Sequence, residues 1–317
     1  MYVDCHLQPG LACPAERQCG VLTREQLSNC GVTAALLKNQ IAARRWTPWA
    51  RRTVLLQNGP PTRRQLMWIA VLDREGPCAL ASHTALELHG FAGFAEEARR
   101  IHLVVPRGAK CASLAGVQVH ESRRFDALDI TKAGALPRTD PTRSAVDAAA
   151  WQPWPRFAVT MLAAVVQQRL CTVEQLDQAL ARVGRVRHKA YMRLAVRDIA
   201  GGAQALSEID FAAVCRRFGL QQPDRQRVRR DPRGRRRYLD SEWVLDDGTI
   251  VVLEIDGSHH LEVEHWEADM RRERQVVISR RWVLRTSSAE VRLDPAAVVA
   301  DLIAMGVPCV SGRPVSR

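Results

Sequence analysis

Two carboxylates one residue apart, Glu254 and Asp256 in VVLEID, are the side chains here most clearly set up for chemistry. Side chains alternate along an extended strand, so both project from one face. Side by side they repel, and placing them at the end of an apolar strand is costly unless a cation or hydrogen bonds compensate. Asp240, on the strand expected just before, adds a third oxygen ligand, and Glu208 on a preceding helix a fourth. An all-oxygen set suits Mg2+ or Mn2+. Such a metal would polarise a phosphodiester and lower the pKa of an attacking water. His260 follows the strand after Gly257-Ser258-His259 and, with an ordinary pKa of about 6.5, is suited to take or give a proton; His259 competes for that role. Further on, Asp269 and Arg272 stand three apart on an expected helix and share a face. Arg272 either contacts phosphate or braces the acidic cluster, the alternative being an ordinary intrahelical ion pair. Arg285 ends the strand WVLRT at the same sheet edge.

The elements that must hold these groups follow Gly201-Gly202, a glycine pair that marks a boundary. The pattern beyond it reads helix, hairpin, helix, strand, helix. Ser207 caps EIDFAAVCRRFG. A polar connection, RQRVRRDPRGRRR, then carries Arg229, Arg230, Arg235, Arg236 and Arg237, either laid along phosphates or forming a solvated loop. Two strands, RRYLDSEWVL and TIVVLEIDG, flank Asp246-Asp247-Gly248, a strong hairpin-turn signal.

In that order LDSEW, LEIDGSHH, DMRRER and WVLRT resemble the very-short-patch-repair-like branch of the PD-(D/E)XK nucleases, over roughly Ser207 to Met305. The resemblance implies a restriction-endonuclease-like mixed sheet flanked by helices, Mg2+ dependence and DNA cleavage. Asp240 and Glu254 fall on the family's metal-binding acids. Asp256 stands where other nucleases of the superfamily carry Lys, which passes the water-activating role to His260 or to the metal. Ser241 replaces a commonly apolar residue, and Trp243 is available to fill that core.

Nearer the start, Thr23 with Gln26 three residues on forms a capping-box pattern, Asn29-Cys30-Gly31 breaks the short helix, and Thr33 caps AALLKNQIAARR. WTPWARRTVLL then alternates as a strand or wing. The order is helix, turn, helix, wing, with Lys38, Arg44, Arg45, Arg51 and Arg52 where a recognition helix and wing would meet phosphates. A solvated basic face is the alternative. From Gln65 to Gly90 two helices are expected, the second opening at Ser82, followed by the strands IHLVVP and VQVHES, then a helix with Pro141 in its first turn. His83, His89, His102 and His120 read as structural histidines. Three more helices run through PRFAVTMLAAVVQQRL, VEQLDQALARV and HKAYMRLAVRDIA. The expected organisation is a loose leader over 1–17, a winged helix-turn-helix over 18–60, a central, mainly helical α/β module over 61–202, the endonuclease-like domain over 203–306 and a tail over 307–317. The fold class is thus multidomain α+β or α/β.

The front two-thirds, from QCGVLTREQL through IHLVVPRG and VQVHESRR to GALPRTDPTRSAVDAAA, is similar to the abortive-infection E-type antitoxins. That resemblance implies a DNA-binding winged helix acting as a transcriptional regulator, paired with a nucleotidyltransferase-like toxin. Composition agrees with a polyanionic partner: 46 Lys and Arg against 34 Asp and Glu give a net charge of +12 and a pI near 9.8. No apolar run approaches the roughly 20 residues of a spanning helix, so a membrane is not an expected partner. Nine cysteines without a CxxC pair fit reduced thiols, and the beginning lacks the charge and apolar segment of a secretory signal; the expected compartment is the cytoplasm. Cys5, His6, Cys13 and Cys19 match no common zinc spacing. The expected function is a Mg2+- or Mn2+-dependent DNA endonuclease, possible as a homodimer, with a non-catalytic DNA-binding regulator as the alternative.

Overall fold

A computed structural model describes residues 9–109, 113–131, 136–201, 211–230, 236–256 and 281–310, with backbone alone at 9, 95–96, 156, 201, 225–230, 236–240 and 256. Helices mix with three sheets, as expected of a multidomain α/β chain. The chain divides into two compact units, Met1–Gly90 with Ala95–Ser144, and Phe91–Phe94 with Ala145–Arg317. Among the described residues no helix is long and apolar enough to cross a membrane.

The first unit opens with helix α1 (Ala12–Arg17) and continues through β1 (Val21–Thr23), α2 (Arg24–Asn29), α3 (Ala34–Ala42), β2 (Thr47–Pro48) and β3 (Thr53–Leu55). Local chemistry fixes the helix starts. Thr23 Oγ1 accepts the Gln26 N–H at 3.0 Å while Gln26 Oε1 accepts the Thr23 N–H at 2.9 Å, the reciprocal capping box its spacing predicts. Each such cap contributes about 1 kcal/mol. Thr33 caps α3 through the Leu36 N–H. Strand β3 pairs antiparallel with both β1 and β2, so β2 and β3 form a hairpin behind the helix pair. The leader is not loose from residue 9 onward. Leu11 and Ala15 are buried against Leu22, Leu27, Val54 and Leu56, because the small helix pair lacks enough apolar surface to close its own core.

Helix α4 (Arg63–Leu72) starts at a second capping box, Thr62 with Gln65, and buries Met67, Trp68 and Ile69. These meet Val21 and Leu55 on one side and Leu80, Ile101 and Leu103 on the other. The second group belongs to a five-stranded sheet of β4 (Ala79–Leu80), β5 (Ile101–Pro106), β6 (Val117–Ser122), β7 (Ile130–Thr131) and β8 (Arg138–Thr139), in the order β6-β5-β4-β8-β7. Beyond the two strands expected of the central region, three strands of two residues each complete this sheet, and the region shares one core with the front segment through α4. Strands β5 and β6 pair in parallel. Helix α5 (Ser82–Leu88) opens without a side-chain cap: Ser82 sits at φ 54° and its hydroxyl meets His83 Nδ1 at 3.1 Å instead. A short helix, α6 (Ala95–Ala98), precedes β5.

Helix α7 (Pro141–Ala150) leads into the second unit, which contains α8 (Pro155–Gln167), α9 (Val173–Arg182), α10 (Lys189–Gly201), α11 (Phe211–Phe218), β9 (Arg225–Arg230), β10 (Arg236–Val244), β11 (Ile250–Asp256), β12 (Arg281–Ser287), α12 (Ser288–Leu293) and α13 (Pro295–Ala304). The glycine pair expected to end a domain does not separate α8 and α10 from the sheet. Val159, Ala195 and Ala289 bring α8, α10 and α12 into one cluster, and buried Asp198 on α10 accepts from Ser288 Oγ and, at 2.9 Å, from the Arg292 guanidinium. An acid that deep needs both donors, which ties α10 to α12.

Strands β9 to β12 form a sheet in the order β12-β11-β10-β9, with β9, β10 and β11 antiparallel and β11 parallel to β12. The turn at Asp246-Asp247-Gly248 is the predicted one: Gly248 has φ 78°, and Asp247 Oδ1 accepts the Thr249 N–H at 2.9 Å. The arginine-rich connection is where expectation fails most plainly. Arg225–Arg230 is a strand, β9, at the sheet edge. An edge strand tolerates a charged alternation that a central strand would reject. Trp243 fills the core as expected, fully buried beside Phe211, with its indole N–H given to the Gln221 carbonyl at 2.9 Å.

Candidate functional site

Register brings charged residues of four strands into one row. Asp240 on β10 is paired with Glu254 on β11, Arg227 on β9 with Asp240, and Glu254 with Arg285 on β12. The row reads Arg227, Asp240, Glu254, Arg285, two acids flanked by a cation on each side. Residues directly opposed across neighbouring strands have Cβ atoms about 5 Å apart. The next row holds Arg229, Tyr238, Asp256 and Ser287.

Strand β11 is built to hold this row still. Val251, Leu253 and Ile255 are buried and join Phe211, Trp243 and Leu302 in the core. Glu254 alternates with them and stays partly exposed, its side chain at 23%. Arg285 Nε donates to Glu254 Oε2 at 2.7 Å, a charge-assisted bond between half-buried partners. Ser241, paired with Leu253, is fully buried, and its hydroxyl has no hydrogen-bond partner among the described residues.

Of the residues picked out from sequence, Asp240, Glu254, Asp256 and Arg285 are thus brought together on adjacent strands. Glu208, His260, Asp269, Arg272 and Arg235 lie outside the described residues. Among described side chains no group of three or more His, Cys, Asp or Glu could hold a metal, and Glu254 is the one acid of the row whose side chain is described. Its carboxylate is a hard oxygen donor of the kind Mg2+ and Mn2+ take. Arg229 and Arg230 lie on β9, and Arg236 and Arg237 begin β10 where the register shifts. Arg227 stands in sequence as one member of a basic run; the Arg-x-Arg-x-Arg alternation over 225–229 is the signal for a strand, whose register pairs Arg227 with Asp240.

The front hairpin sorts its basic residues. Lys38, Arg44, Arg45 and Arg51 are exposed. Arg52 is not a free cation: its guanidinium meets Glu75 at 2.7 Å and Glu25 at 3.7 Å, and its N–H donates to Asp73 Oδ1 at 2.7 Å. It is a bracket for the hairpin rather than an exposed contact.

The histidines of the first unit are structural in the sense expected. His102 Nδ1 and His120 Nε2 are 3.0 Å apart with rings stacked, and His102 Nε2 lies 3.3 Å from the Glu97 carbonyl. With Nε2–H of His102 given to that carbonyl, His102 Nδ1 accepts from His120 Nε2–H, which makes the His102 ring neutral; burial disfavours the charged form of His120. Burial, then the neighbouring His102, pushes His83 and His120 down to about 3, and burial also lowers His102. His89, lowered by burial, meets the Thr139 carbonyl at 2.9 Å. None of the described cysteines is part of a disulfide.

No family model matches the chain, and no curated protein matches it. Among solved structures the chain is similar to the RV2827C protein from Mycobacterium tuberculosis, at 17% identity and a TM-score of 0.39, over 59% of this chain and 74% of that one.

Proposed function

We propose that this chain is a DNA-binding, divalent-metal-dependent endonuclease. Asp240, Glu254 and Asp256 are the residues that would hold Mg2+ or Mn2+, and His260 the group that would move the proton. The observation that carries the reading is the register row: two acids on adjacent strands, anchored over an apolar core and bracketed by Arg227 and Arg285. A bound divalent ion would supply Lewis-acid polarisation of the phosphate and a more acidic water. The chain's own part is to fix the acids by the β10–β11 ladder and to offer arginine donors to phosphate oxygens. Glu208, Asp269 and Arg272 support the site in this reading. The front segment acts as a winged helix that delivers the enzyme, with Lys38, Arg44, Arg45 and Arg51 on phosphates.

Cleavage of supercoiled plasmid by the purified chain tests this, with Mg2+ or Mn2+ against an EDTA control and with Glu254→Ala. Metal-dependent nicking that Glu254→Ala loses by at least about 100-fold is the expected result. One observation favours a second reading, a DNA-binding regulator of antitoxin type, paired with a nucleotidyltransferase-like toxin, that keeps the sheet as a scaffold. Arg285 Nε donates to Glu254 Oε2 at 2.7 Å, so the protein's own cation compensates that acid. No cutting of any DNA form alongside tight, salt-sensitive binding would favour that regulator.

A further inference from the structure

We infer that Trp49, at the tip of the β2–β3 hairpin, stacks on an unpaired or unstacked base, so that the front unit prefers nucleic acid with an exposed base to a fully paired duplex. This rests on the nucleic-acid-binding part of the function proposed above.

Trp49 is one of two tryptophans three residues apart. Trp46 packs against the front core, and Trp68 and Trp243 are buried, whereas Trp49 leaves 39% of its surface exposed. Trp154 and Trp282 are exposed too, but Trp49 is the exposed one of the front segment, with Lys38, Arg44, Arg45 and Arg51. An indole exposed to this extent offers a flat apolar face that a planar partner can cover. The tip that carries it is held firmly. Trp49 N–H donates to the Thr53 carbonyl at 3.2 Å, Thr47 Oγ1 donates to the Gln57 carbonyl at 2.9 Å, and the Arg52 carbonyl accepts from the Arg24 N–H at 2.9 Å. Arg52 is further bracketed by Asp73, Glu75 and Glu25. Its neighbour Arg51 is exposed. The tip therefore presents one flat aromatic ring and one cation from a fixed loop, with exposed Lys38, Arg44 and Arg45 on the same front segment.

Charge complementarity selects a polyanion as the occupant, and the ring selects one with flat apolar faces. A base meets both needs, since every base has a stacking face and every nucleotide a phosphate. In an intact duplex those faces are covered by neighbouring pairs, so the ring is satisfied only where a base is unpaired, bulged or at an end.

The test is fluorescence anisotropy of the full chain with three labelled oligonucleotides across a salt series: a single strand, a fully paired duplex, and the same duplex with one bulged base. Wild type binds the single strand and the bulged duplex more tightly than the paired one. Trp49→Ala lowers affinity for those two roughly tenfold and leaves the paired duplex and the salt slope unchanged, while Trp49→Phe restores most of the loss. Arg51→Ala reduces the salt slope by about one on all three. Equal binding by wild type and Trp49→Ala, or an equal loss on all three forms, overturns the stacking role alone. Failure of wild type to bind any of the three overturns the nucleic-acid reading with it.

Discussion

At the scale of single residues the acidic row and its surroundings balance opposing costs. Glu254 is held by Arg285 on one side and opposed by Asp240 on the other, over side chains that admit almost no water. Ser241 shows what is not balanced. Its hydroxyl is fully buried without a described partner, a loss of about 1–3 kcal/mol relative to a satisfied one. Ser241→Ala is expected to stabilise the chain by about 1 kcal/mol, read as a higher urea midpoint with unchanged slope. A lower midpoint would mean that the hydroxyl does have a partner.

Helices and strands show which parts of the fold were legible. The capping box read from spacing at Thr23 is present, and so is the hairpin turn at Asp247-Gly248, because both are decided within four or five residues. Strand β9 was not legible. Arginines in sequence look like a solvated loop, and only the ladder to β10, formed across the intervening chain, makes them a strand. The same holds for Leu11 and Ala15, whose burial depends on partners as distant as Val54 and Leu56. Asp240 and Glu254 could be picked out by type and spacing. That Arg227 and Arg285 share their row follows from register, which a single sequence does not state. Helix α3 ends against a local preference. It ends in a Schellman motif, with Arg45 N–H bonded to the Gln40 carbonyl, Arg44 N–H to that of Ile41, and Arg44 at φ 53° where glycine is the usual residue. Arg44→Gly is expected to raise stability by about 1 kcal/mol while weakening binding to DNA. Thermal unfolding and anisotropy on one preparation check both; a stabilised variant with undiminished affinity would remove Arg44 from the nucleic-acid contacts.

Across the whole molecule, the two units hold different groups of charged and titratable residues. The sheet with the acidic row lies in the unit that begins at Ala145, together with the helices α8 to α10 that sequence assigned to a separate module. The histidine stack lies in the other unit, with Arg63 and Arg100 as the nearest cations acting on His102. Its neutral rings have a direct consequence for pH. The folded values of His83 and His120 are about 3, against 6.5 for the free side chain, so protons bind the unfolded chain first. Their stabilisation is complete above 6.5 and declines as pH falls from 6.5 toward 3. Urea midpoints at about pH 7.5 and about pH 5 should therefore differ, with the lower pH less stable, and the gap should shrink in His120→Leu. Equal midpoints would contradict the neutral stack.

Titration of Mn2+ into the full chain by isothermal calorimetry tests most directly the proposal that the register row is a divalent-metal site. Saturable binding by wild type that is lost in both Asp240→Asn and Glu254→Gln, with folding preserved, is the predicted result. Uptake of Mn2+ by both variants as by wild type, or no uptake by wild type, would contradict it.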